Sequence, residues 1–182
     1  MIEEVRIATR ADANEIIQLL HVMHVENGMM PLGEECSMEF FERSFSRKGG
    51  IIGVIGDPGD IKAMICLLLT RFWYTKVSHL EETFNFVRPD MRKTDYAKLL
   101  IKFAQKCSDE IKVPLLIGVL AHSRMEGKVR LYRRILGPPA GAFFVYGANW
   151  TLCDPAREDF WKAPFDERRK SNGSTAHKEL RR

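Results

Sequence analysis

Apolar and polar positions follow a sequence of short, distinct periods along the chain. Val5, Arg6, Ile7 and Ala8 alternate as a short strand does. Thr9 then stands as a helix N-cap, with Asp12 three residues on as its box partner. Ile16, Leu20, Met23 and Asn27 recur at helical spacing, and Asn27-Gly28 forms a stop. Residues 37–45 read as a second, shorter helix.

Two apolar runs follow, 50–56 and 61–72, separated by Asp57-Pro58-Gly59-Asp60. That pattern predicts a β-hairpin. Residues 80–87 read as a third strand of the same group, ended by Pro89. The strongest helix spans 94–111: Ala97, Leu100, Ala104, Cys107 and Ile111 make one face, while Lys98, Lys102, Lys106 and Asp109 point away. After Pro114 the run 115–120 is continuously apolar, which suits a strand buried on both faces. Ser123 and Glu126 match a second capping box. The helix they open carries Val129, Tyr132, Ile135 and Leu136 and stops at Gly137-Pro138-Pro139. Residues 142–146 read as a last strand, and after Trp150 the pattern dissolves. The expected class is α/β, a mixed sheet flanked by helices with a parallel portion around the long helix.

Composition narrows this picture. The chain has 182 residues, 45% apolar and 29% charged, which suits one soluble domain. No apolar run approaches the roughly 20 residues that a membrane span needs. The acidic start, Met1-Ile2-Glu3-Glu4, is unlike a secretory signal. Cys36, Cys66, Cys107 and Cys153 are widely spaced, so neither a zinc site nor a redox motif is indicated, and a reducing cytoplasm is expected. Of the net charge of +4, residues 166–182 carry +3, from six basic and three acidic side chains. The body is almost neutral, which argues against a dedicated nucleic-acid-binding domain. The expected division is one domain over 1–150 and an extension over 151–182, docked in part through Trp161 and Phe165 and then basic and disordered.

Few residues carry a chemical signal. Gly50, Gly53 and Gly56 lie inside an apolar run followed by another strand, so a hairpin is favoured over a phosphate loop. His21 and His24 share a helix face, but two histidines make a poor metal site, and they read as helix surface. The informative stretch is 87–97, which joins a strand to the strongest helix. Free N–H groups at a helix start bind anions, and Arg88, Arg92 and Lys93 add positive charge there. By itself the stretch reads first as a connecting loop with solvated charges, ahead of an anion site. Tyr132 reads as a core tyrosine whose hydroxyl needs a partner, and Lys128, Arg130, Arg133 and Arg134 read as a solvated basic flank.

Together these segments resemble the GNAT superfamily of acyl-CoA-dependent N-acyltransferases. The order of elements over 3–147 is similar to that fold. Val87, Pro89 and Arg92 stand where the family has Val-x-Pro-x-x-Arg, between its fourth strand and third helix. Residues 128–134 resemble its fourth-helix signature, with Tyr132 at the tyrosine. The wording of 87–93 and 131–138 is also similar to members carried by bacteriophages. The family's pyrophosphate turn reads Gln/Arg-x-x-Gly-x-Gly/Ala. Arg92 and Ala97 match it, while Asp95 replaces the middle glycine. Met125 stands where many members have asparagine.

The resemblance implies a GNAT-like fold and an N-acetyltransferase that moves an acetyl group from acetyl-CoA to a primary amine. It implies that main-chain groups of Phe86 and Val87 pair with the pantetheine arm, as an added strand does. It implies that the turn through Arg92, Lys93, Thr94, Asp95, Tyr96 and Ala97 holds the pyrophosphate. Glu81 and Glu82 lie on the strand that supplies the general base, and alternation lets only one face the cleft. Tyr132 would protonate the departing thiolate, a role that suits a phenol with an ordinary pKa of about 10. No metal is implied. The acceptor, small molecule or protein, stays open, and a homodimer is carried as an expectation because dimers are common in the family. Asp95 and Met125 support an alternative, a GNAT-fold protein of weak or no activity serving as a phage structural or host-protein-binding module. A third reading gives the basic tail a nucleic-acid or acidic-protein role.

Overall fold

Three consecutive apolar runs build the middle of the sheet. In the computed structural model, residues 3–28, 32–121 and 124–144 are described. The hairpin strands β2 (Gly50–Ile55) and β3 (Ala63–Arg71) pair antiparallel, as the two runs predict. β1 (Arg6–Ile7) adds to the outer edge of β2, and β4 (Ser78–Val87) adds antiparallel to β3. β5 (Leu115–Leu116) lies parallel to β4. The spatial order is therefore β1-β2-β3-β4-β5, a mixed sheet with its parallel pair at one end.

Helices cover both faces. α1 (Ala13–Asn27) and α2 (Glu34–Phe45) enclose one core around Ile16, Leu20, Phe41, Met64 and Phe84. α3 (Tyr96–Ile111) is the crossover between β4 and β5, and it encloses the other core around Ile65, Leu67, Leu80, Leu100 and Ala104. α4 (Met125–Leu136) packs beside α3. Burial on both faces explains why β2 and β3 read as unbroken apolar runs rather than alternating ones. Gly53 permits the close approach of α3: a Cβ there would stand 2.6 Å from the Phe103 ring.

Several boundaries differ from expectation. The Thr9–Asp12 box is present, with the Thr9 N–H donating to Asp12 Oδ2 at 2.8 Å, but it opens a 3-10 turn (Arg10–Asp12) that leads into α1. α2 begins earlier than expected, because Gly33 serves as its N-cap. The strand expected over 115–120 is only Leu115–Leu116, for the partner strand β4 leaves it there. α4 starts at Met125 after Arg124 in the left-handed region, and Ser123 lies outside the described residues. No strand forms at 141–144; residues 145–146, like the extension with Trp161 and Phe165, lie outside the described residues.

Candidate active site

The site begins with two irregularities of β4. Leu67 pairs with Glu82 and Cys66 with Phe84, so Thr83 is an extra residue, a β-bulge. The bulge shifts the alternation of side chains. Leu80 joins the core under α3, whereas Phe84 and Phe86 join the core under α1 and α2. The second irregularity is the short parallel pairing. It covers Leu80↔Leu115 and Glu81↔Leu116 and goes no further. Beyond Glu81 the two strands separate, and the β5-facing edge of β4 has no strand partner among the described residues.

A cleft of about 270 Å³ opens beside that edge. Asn85, Phe86 and Val87 of β4 form one wall, and Gly127, Lys128, Leu131 and Tyr132 of α4, with Arg124 at its N-cap, form the other. Glu26 and Asn27 at the end of α1, with Arg92, Thr94 and Ala97 from the turn after β4, close the remaining side. One face of α4 lines the cleft because residues 124, 128 and 131–132 recur at one-turn spacing.

The two glutamates part company as alternation requires. Glu81 is about half exposed and lies 3.7 Å from His79 Nε2. The Glu82 side chain is partly buried, with the Gly118 N–H bonded to its carboxyl and the Lys128 charge acting on it. Burial pushes its pKa up to about 7, and the Gly118 N–H and the Lys128 charge only partly offset this. Tyr132 stands nearby on α4. Burial, and next the Glu82 charge, raise its pKa above the ordinary phenol value, with the Asn85 side chain opposing. Glu82 is not among the residues that line the cleft, but its charge acts on two that do, Tyr132 and Lys128.

Arg92 is held from three sides. Its Nη2 donates to Glu26 at 2.5 Å, its Nε donates to the Val87 carbonyl at 3.3 Å, and its guanidinium lies 5.4 Å from the Phe86 ring centre. The turn it heads is partly closed on itself. The Thr94 N–H donates to the Met91 carbonyl at 3.2 Å, and the Tyr96 N–H reaches Thr94 Oγ1 at 3.4 Å. Asp95 is the N-cap of α3 with φ −82°, a conformation any residue adopts, so this turn does not require glycine for its backbone.

The structure thus brings Phe86, Val87, Arg92, Thr94, Ala97 and Tyr132 to one cleft. Lys93 and Asp95 are exposed and do not line it. Tyr96 is turned toward the chain start, where its hydroxyl donates to Glu3. Met125 is 51% exposed and also stands off the cleft. The basic flank of α4 divides: Arg130, Arg133 and Arg134 are exposed, but Lys128 is half-buried and faces the cleft. Sequence reasoning passed over Glu26, Asn27, Asn85 and Arg124. For Lys128 and Arg124 a signal existed, since they lie four and eight residues before Tyr132 on one helix face. For Asn85 none did, because its orientation depends on the bulge.

A ligand that carries phosphate and amide groups fits this donor set. Among the described residues Asn85 Nδ2 is buried with no hydrogen-bond partner and the adjoining β4 edge is unpaired, while Arg92, Arg124 and Lys128 concentrate positive charge. No helix among the described residues is long and apolar enough to cross a membrane.

No family model matches the chain, and no curated protein does. Solved structures of acetyltransferases do. A ribosomal-protein-alanine N-acetyltransferase from Brucella melitensis superposes with a TM-score of 0.61 at 16% identity, covering 80% of this chain and 97% of that one. A predicted acetyltransferase from Clostridium acetobutylicum, solved with acetyl-CoA, gives 0.64 at 11% identity, covering 80% and 96%. An aminoglycoside antibiotic 6'-N-acetyltransferase from Acinetobacter haemolyticus gives 0.59 at 14% identity, covering 79% and 95%. The five-stranded mixed sheet and four α-helices of the described residues have the GNAT acetyltransferase fold.

Proposed function

We propose that the chain is an N-acetyltransferase in which a primary amine attacks the thioester of acetyl-CoA directly. The observation that carries this reading is the cleft at the parting of β4 and β5, with Tyr132 on its wall and within reach of the Glu82 charge. The free edge at Phe86 and Val87 suits main-chain pairing with a pantetheine amide, and Asn85 Nδ2 offers a further donor. Arg92, with N–H groups of the turn through Lys93, Thr94, Asp95, Tyr96 and Ala97, would hold the pyrophosphate at the start of α3.

Attack requires a neutral amine. Glu82, with its pKa near 7, is matched to accept a proton close to neutral pH, directly or through a water. Glu81 is half exposed and on the opposite face, so Glu82 is the base in this reading. Tyr132 stays protonated at neutral pH, since burial and the Glu82 charge both favour the phenol. It would give its proton to the departing thiolate. The wording of 87–93 and 131–138 supports a phage-carried member acting in a host cytoplasm. The acceptor is either a small-molecule amine or a protein amine.

Calorimetry with acetyl-CoA, CoA and ATP tests the reading. Micromolar binding of acetyl-CoA and CoA but not ATP is the expected result, followed by turnover in a screen of amines. Absence of acetyl-CoA binding overturns it.

A further inference from the structure

Lys128 is out of place in an ordinary solvated helix face. It sits one turn before Tyr132 on the side of α4 that lines the cleft, across from Asn85 and the β4 edge. Among the described residues no ion pair or side-chain hydrogen bond ties down its ammonium group. The contrast with other lysines is clear. Lys62 is paired with Glu3 and Asp60, and Lys106 lies 3.8 Å from Glu110 on the exposed face of α3. Lys98 and Lys102 are exposed on that same face.

We infer that Lys128 is itself an acetyl acceptor, so that acetyl-CoA bound in the cleft acetylates the protein on its own α4. This rests on the acetyl-CoA reading above and adds a modification site to it. Lys128 and Tyr132 line the same cleft four residues apart on α4, so a thioester seated beside Tyr132 lies against the helix face that carries Lys128. A tethered nucleophile next to a bound electrophile gains the large advantage of an intramolecular reaction.

The step balances with groups already present. The Glu82 carboxylate takes one proton from the Lys128 ammonium. The neutral Nζ attacks the thioester carbonyl carbon, so a C–N bond forms and the C–S bond breaks with its electron pair on sulfur. Tyr132 protonates that sulfur, and the extra proton on the new amide nitrogen returns to the Tyr132 oxygen. The products are Nε-acetyl-Lys128, free CoA and a protonated Glu82. The setting favours the neutral amine. Burial lowers the Lys128 pKa, Arg92 and Arg124 lower it further, and the carboxylates of Glu82 and Glu26 oppose them. Acetylation would remove one of three positive charges lining the cleft, and so would weaken the hold on CoA phosphates.

The test uses the full chain with isotope-labelled acetyl-CoA, followed by intact mass and peptide mapping, with calorimetry on the same sample. Expected is one acetyl group per chain, on Lys128, appearing at least about tenfold faster than on Lys106. Glu82→Gln is expected to slow this labelling by a similar factor while acetyl-CoA still binds. Binding of acetyl-CoA with Lys128 labelled no faster than Lys106 overturns the inference and leaves the acetyltransferase reading standing. Labelling unaffected by Glu82→Gln overturns the proton transfer described. Absence of acetyl-CoA binding overturns the inference and the reading together.

Discussion

Arg92 Nη2 lies 2.5 Å from a carboxylate oxygen of Glu26, so the turn after β4 is clasped to the end of α1. Both side chains are largely buried, at 20% and 26% exposure. The guanidinium that would meet a diphosphate is already satisfied by a carboxylate. Binding CoA must therefore exchange one anion for another. Replacing Glu26 by Gln removes the competing charge and leaves Arg92 seated on Phe86. Acetyl-CoA should then bind about three- to tenfold more tightly at low salt, roughly 1 kcal/mol. Calorimetry on both proteins decides it. Unchanged or weaker binding would mean that Arg92 keeps Glu26 in the complex.

Tyr132→Phe separates chemistry from binding. The ring stays, so the cleft wall keeps its shape, and only the proton donor is lost. Turnover should fall on the order of 100-fold, with the acetyl-CoA Kd unchanged within about twofold. An amine-acetylation assay beside calorimetry reads both. Equal loss in the two readings would make Tyr132 a packing residue rather than the acid.

Glu82 links activity to stability in opposite directions. Its pKa in the folded chain is about 7, above the ordinary 4.5, because burial disfavours the charge. Its contribution to stability is thus complete below pH 4.5 and is lost as pH rises through about 7. As a base it works only when ionised, so turnover should climb with pH through the same region and level off above it. Glu82→Gln should abolish that ascending limb. It should also stabilise the protein at pH 8 by about 1–2 kcal/mol, since a neutral amide replaces a buried charge. Urea melts at pH 5 and pH 8, with a pH–rate profile, measure both effects. A variant that is less stable at pH 8 would show that Glu82 is satisfied in its ionised form.

The extent to which the chain discloses this arrangement follows from which interactions are local. The hairpin through Asp57-Pro58-Gly59-Asp60, the face of α3 and the Thr9–Asp12 box depend on neighbours a few residues away, and all are visible as periods or caps. The GNAT-like order of elements is equally open to reading. Two features of the site are not. The bulge at Thr83 has no signature in its residue type, yet it decides which way Glu82, Asn85 and Phe86 face. The parting of β4 and β5 shortens an apolar run of strand length to Leu115–Leu116. Lys128 was hidden differently: helical spacing puts it with Tyr132, but a lysine among arginines reads as solvated surface.

Asp12 offers a stability test away from the site. It is fully buried, and Arg6 donates to both its oxygens, at 2.9 and 2.6 Å. The Arg6 hydrogen bonds, with the Thr9 N–H and hydroxyl, hold its pKa at about 2 against an ordinary 3.8. The folded value is depressed, so the stabilisation is present above about pH 4 and is lost as pH falls toward 2. A shift of this size corresponds to about 2 kcal/mol. Asp12→Asn keeps the shape but leaves the Arg6 charge, 31% exposed, without its partner. Urea unfolding at pH 7 should show the variant less stable by about 2 kcal/mol, and the difference should shrink as pH is lowered to 2. A difference that stayed constant with pH would assign the loss to packing and capping rather than to the charge, because only the ionised carboxylate titrates across that interval.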